Sequence, residues 1–130
     1  MGLTRFDMVW PISHAQYFTD SDTTDSALLI ESVDRPILIE HIFVSSNDSV
    51  DRVVQISQNV NGSAYPIGSI TVPAGAGFGG VRCLDVIQHL VDPAIDGYVL
   101  KPGDSLRGAM EVTMTAGKVI NFVSTGGELP

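Results

Sequence analysis

Three histidines, one cysteine, an alternating run of carboxylates and a glycine-rich stretch are the parts of this sequence that could do chemistry. A metal-dependent enzyme on a β fold draws on paired imidazoles with a carboxylate. His14, His41 and His89 are isolated from one another along the chain, and no second histidine lies two residues from His41. His41 therefore reads as a packing residue. Cys83 has no second cysteine to pair with, so no internal disulfide forms. As a nucleophile it would need a neighbouring base, and no known spacing pattern joins it to His89, six residues on. It reads instead as a small buried hydrophobe.

Asp20, Asp22 and Asp25, with Glu31 eleven residues after Asp20, loosely imitate a calcium loop. Such a loop needs glycine at its sixth position, where this chain has Asp25, and flanking helices that the pattern does not show. A solvated acidic loop is the expectation. The run Pro73–Gly80 contains four glycines that could cradle a phosphate, but no Lys-Ser or Lys-Thr pair accompanies it. It reads as a flexible loop. No Gly-x-Ser-x-Gly elbow occurs. These residues predict no enzyme, no metal and no cofactor.

The elements that would have to position any site are extended ones. A chain of 130 residues is the size of one domain. Apolar residues make up 44% and charged residues 17%, which excludes a disordered chain. Val and Ile outnumber Ala and Leu and Gly is frequent, so an all-β protein with many tight turns is expected. The net charge of −8, with no Lys/Arg cluster, argues against direct binding to nucleic acid or to an anionic membrane. No apolar run reaches the roughly 20 residues of a membrane span. The Met1–Met8 start lacks the pattern of a signal peptide, and Phe6 stands where a myristoylation motif wants Ser or Thr.

In chain order, residues 1–25 read as an N-terminal arm and 26–130 as a single β-sandwich domain. Phe6, Met8 and Trp10 share one face of a possible short strand that Pro11 ends, and Tyr17 and Phe18 follow. Aromatics at this density either cover one end of the domain's own core or dock on a neighbouring subunit. Ala27–Val33 is a short strand candidate. Ile37–Ser45 is a strong one, with Ile37, Ile39, His41 and Phe43 on one side and Leu38, Glu40, Ile42 and Val44 on the other. Both sides are largely apolar, as in a central strand or a subunit contact.

Asp51–Val60 alternates again, and Asn61-Gly62 before Ser63–Val72 is the strongest hairpin signal in the chain. Pro66 marks its return strand as an edge or a bulge. Cys83, Leu84, Ile87, Leu90 and Val91 recur at helical spacing, which predicts a short helix near 83–91. Lys101-Pro102-Gly103-Asp104 is a turn. From Ser105 to Met114 the period is two, and Ala116-Gly117 then reverses the chain into Lys118–Ser124. The C-terminal quarter thus reads as an antiparallel hairpin fed by Tyr98–Leu100.

The order of several short words resembles small β-sandwich virion proteins of tailed bacteriophages. Thr71–Gly75 precedes the glycine-rich loop; Leu84–Ile87 and the Asp96-Gly97 turn follow; then come Val99–Leu106, Val112–Val119 and Gly126–Glu128. Upstream, Ile42–Asn47 followed by Asp51–Ile56 fits the same pattern, so the likeness spans about residues 37–128. The resemblance implies a jelly-roll-like fold and, as function, capsid decoration: a homotrimer on the outside of the virion, bound to the major capsid protein. Phe6, Met8, Trp10, Tyr17, Phe18, Ile37, Ile39 and Phe43 would then supply the docking and self-assembly surfaces. The alternative is a tail, neck or fibre component or a carbohydrate-binding receptor module, for which Trp10, Tyr17, Tyr65 and Tyr98 are the candidate aromatics.

Overall fold

The computed structural model describes residues 10–22, 24–90 and 97–130. Its strands are β1 (Trp10–Thr19), β2 (Ala27–Glu31), β3 (Ile37–Ser46), β4 (Arg52–Val60), β5 (Ser63–Val72), β6 (Leu84–Asp85), β7 (Tyr98–Leu100), β8 (Ser105–Met110) and β9 (Val119–Glu128), with one short helix, α1 (Val86–Leu90). They form two antiparallel sheets. One runs β1-β9-β3-β6, with β7 also pairing β3; the other runs β2-β8-β4-β5. Since β6 and β7 both pair with β3, they act as one interrupted strand. The order is then that of a jelly roll, two Greek keys wrapped into a sandwich. The all-β sandwich with one short helix is the fold its composition and spacing predicted.

Apolar residues from both inner faces meet between the sheets. Leu29, Ile39, Ile42, Val44, Val54, Ile56, Leu106 and Ile120 are wholly buried there. Phe18 and Phe122 pack edge to face, their ring centroids 5.8 Å apart.

The two apolar sides of β3 have a local cause. Its register with β9 slips between Ile39 and His41. A bulge shifts the two-residue period by one. Before it Ile37 and Ile39 point into the core; after it Ile42 and Val44 do, and His41, Phe43 and Ser45 turn outward. Leu38, on the other side from Ile39, is buried against Gly97. The same bulge brings Gly126 so close that a Cβ there would lie 2.0 Å from the Leu38 carbonyl oxygen.

Three expectations are corrected. Residues 10–19 are not part of an arm: all ten pair with β9 as the outer strand of the larger sheet. Ile12 and Phe18 on its inner side need the core, and this draws the segment into the sandwich. The C-terminal hairpin does not form either. β8 pairs with β2 and β4, whereas β9 pairs with β1 and β3, so the chain crosses from one sheet to the other through 111–118. Strand β8 ends at Met110; Val112 is exposed while Met114 is buried from the crossing loop. Finally, the glycine-rich segment is pinned rather than loose. Ala76 is fully buried, its carbonyl accepts from Ser46 N–H at 2.9 Å, and Gly77 N–H donates to the Val81 carbonyl at 2.8 Å.

The β4–β5 hairpin turns as its sequence requires, with φ of 53° at Asn61 and 83° at Gly62. Asp48, buried at the β3–β4 turn, ties that turn to the crossing loop. Its carboxylate accepts from Thr115 N–H at 3.0 Å, Thr115 Oγ1 at 2.8 Å, Arg52 Nε at 2.9 Å and Val50 N–H at 3.3 Å. Burial alone would push Asp48 upward; these donors outweigh it and hold the carboxyl at about 2, below its ordinary 3.8.

A carboxyl depressed in the folded state adds stability that is complete above the unfolded value and lost as pH falls through the folded one. The shift corresponds to about 2 kcal/mol. Urea titrations should therefore show wild-type stability falling by about this much between roughly pH 5 and pH 2 from this group. Asp48→Ala should remove that part of the slope and lower stability at neutral pH by about 2–4 kcal/mol, since it strands the Arg52 and Thr115 donors. Gly62→Val should cost about 1–2 kcal/mol through the left-handed penalty; an unchanged melting temperature would contradict the turn assignment.

Candidate interaction face

The outer surface of the β1-β9-β3 sheet is the feature that no core demand explains. Three cross-strand rows compose it: Ala15–Val123–Phe43, Tyr17–Asn121–Ser45 and Ser13–Thr125–His41. Tyr17, Phe43 and Val123 are 60%, 39% and 43% exposed. No Asp, Glu, Lys or Arg occupies any of these nine positions, on a chain of net charge −8.

His41 is held in place on this face. Its ring stacks on Phe43 with centroids 4.9 Å apart, and its Nδ1 lies 2.7 Å from Asp85 Oδ2. The other Asp85 oxygen accepts from Ile42 N–H and from Ile87 N–H, both at 3.1 Å. Asp85 thus caps α1 and fastens it to β3. With its ring stacked and one nitrogen engaged, His41 serves as a rigid planar part of the surface.

At one end of the face a groove of about 440 Å³ opens between β3, β9 and the glycine-rich loop, lined by Phe43, Val44, Ser45, Gly77, Cys83, Asn121 and Val123. Cys83 is exposed, contrary to its reading as a buried hydrophobe, because β6 is only two residues long and ends the sheet there. Phe78 and Val81, on the loop that walls the groove, are half exposed.

A second depression, of about 380 Å³, lies at the tip of the β4–β5 hairpin beside the Lys101–Asp104 turn. Tyr98 donates its hydroxyl to Gln58 Oε1, and Gln58 Nε2 donates to Asp104 Oδ2 at 3.3 Å. Burial and then the Asp104 charge push the Tyr98 hydroxyl upward, so it stays protonated as the donor. This chain of side chains fixes the turn against the hairpin. Among the described residues no group of three or more His, Cys, Asp or Glu is placed to hold a metal ion, and no helix is long and apolar enough to cross a membrane.

Of the residues expected to dock, Tyr17 and Phe43 come together on this face. Trp10 is half exposed at the start of β1, with the Arg35 guanidinium 4.7 Å over its ring. Phe18, Ile37 and Ile39 are corrected: all three are core residues, 3% exposed or less, turned inward by the strand alternation and the β3 bulge. Phe6 and Met8 lie outside the described residues. Ala15, Val123 and His41 were missed. The alternation of Val119, Asn121 and Val123 against Ile120, Phe122 and Ser124 could have marked Val123 as outward.

No family model matches this chain, and no curated protein does. Among solved structures, the core of Drosophila NLP, whose crystal structure is described in terms of pentamer formation and histone binding, is similar over 87% of this chain and 96% of its own, at 12% identity and a TM-score of 0.44. Pentamers and histones are properties of that protein. The capsid-decoration role that the phage resemblance implies is not upheld: the similar solved structure is described as a histone-binding core, not a capsid component. The major capsid protein falls as a partner with it.

Asp85→Ala should lower stability by about 1–2 kcal/mol through loss of the helix cap and of the bond to β3. Asp85→Asn, which keeps an acceptor oxygen, should lose less; equal losses in urea titrations would show that the cap contributes little.

Proposed function

We propose that this chain is a non-enzymatic assembly module that associates with further copies of itself through the outer face of its larger sheet. The observation that carries the reading is that the nine positions of the three rows carry no charged side chain, while the carboxylate beside them, Asp85, is nearly buried and engaged by His41 and backbone N–H groups. Copies of an acidic chain repel one another, and the repulsion reaches about 8 Å at physiological salt. They can touch only where carboxylates are absent and apolar surface is present, and the rows through Ala15, Val123 and Phe43 provide both. A stacked, hydrogen-bonded His41 and a strand-borne Phe43 lose little side-chain freedom on contact, which favours binding. The groove beside Cys83 offers a recess for an apolar side chain of the second copy.

Sedimentation velocity on purified protein tests this. Association should strengthen as salt rises, because screening removes repulsion while leaving apolar contact intact. Val123→Asp should weaken it by at least about tenfold while leaving the fold unchanged. A wild-type chain that stays monomeric up to about 200 μM, well above the micromolar range typical of specific contacts, would end the proposal. So would an oligomer that Val123→Asp leaves intact.

A further inference from the structure

Sheets end in strands with unpaired peptide groups, and natural proteins blunt such edges with short strands, bulges, proline or charge. Here most of the edges are blunted. β5 carries Pro66 and a bulge opposite Ile56/Ser57. β2 has five residues and a bulge between Leu28 and Ile30. β6 and β7 have two and three residues. β1 is the least blunted of these edges. It runs ten residues, pairs with β9 without a register shift, and contains no Asp, Glu, Lys or Arg; its only proline, Pro11, sits next to its first residue.

Two hydrogen bonds show which of its groups face outward. Thr19 N–H donates to Asp22 Oδ2 at 2.7 Å, and the Tyr17 carbonyl accepts from the Gln16 side chain at 3.1 Å, so neither points at β9. Antiparallel pairing alternates along the strand. Ser13, Ala15 and Tyr17 therefore aim their N–H groups at the free edge, where no described residue accepts from them. We propose that this edge pairs antiparallel with β1 of a second copy, about a two-fold axis near Ala15, to make one sheet running through both protomers.

Two features of the strand favour its own copy as the occupant. An antiparallel pair about a two-fold is self-complementary, each copy offering the same Ser13, Ala15 and Tyr17 groups. The edge is also continuous with the uncharged outer rows, so pairing brings no carboxylate of β1 against another on an acidic chain. The inference rests on the self-association proposed above but uses backbone groups in place of the side-chain face, so the two can fail separately.

Residue-resolved amide exchange of the full chain at low and high concentration decides it. The Ala15 and Tyr17 amides should exchange at least tenfold more slowly in concentrated than in dilute wild-type protein. The same protection should persist in Val123→Asp, which alters only the side-chain face. Ala15→Pro removes one outward N–H and no bond to β9, and should abolish the protection while leaving the circular dichroism unchanged. Free exchange of both amides in associated wild-type protein overturns edge pairing and leaves the face reading standing. A foreign strand as the true occupant would give that same result in the pure protein. The wild-type measurement remains decisive even where the proline variant fails to fold.

Discussion

The slip of one residue between Ile39 and His41 governs what this molecule shows to the outside. A strand with a strict two-residue period has one buried side and one wet side along its whole length. The bulge lets β3 bury Ile37 and Ile39 in one half and Ile42 and Val44 in the other. Without the slip, His41 and Phe43 would point into the core and Ile42 and Val44 into water. The outer rows exist because the phase changes there, and Gly126 permits it by leaving room for the Leu38 carbonyl.

A jelly roll joins two sheets by long crossings, and these have to be held. Asp48 holds one by gathering donors from the β3–β4 turn, from Arg52 and from Thr115. Asp85 works similarly on the other side of β3, accepting from Ile42 and Ile87 while engaging His41. In both places a single carboxylate collects backbone and side-chain donors that would otherwise be left unpaired. Several of the fifteen acidic residues, Asp104 among them, thus have internal structural work, which the net charge alone does not reveal.

Local features were legible in the sequence. Asn61-Gly62 specified its turn, Pro66 its bulged edge strand, and the spacing of Cys83, Leu84, Ile87, Leu90 and Val91 a short helix, which forms over Val86–Leu90 while Leu84 lies in β6. Partner choice was not legible. Ser105–Met114 and Lys118–Ser124 look like hairpin arms because each alternates and a glycine lies between them, yet they belong to different sheets. Alternation states which side of a strand is apolar and says nothing of which strand lies beside it. The face itself was half readable: Phe43 and Tyr17 were picked out as aromatics, but Ile37 and Ile39 were assigned with Phe43 because a bulge has no composition of its own. The phage likeness implied a jelly-roll-like sandwich, which the strand order bears out.

The uneven treatment of the sheet borders has a bearing on valence. A protomer able to add strands on two sides could polymerise into a fibre. With one receptive margin among the described strands and the others capped by proline, bulge or brevity, recruitment through the backbone as proposed would saturate after a single event. Pairing at that margin would then give a closed pair, and any larger particle would have to grow through the flat exterior instead.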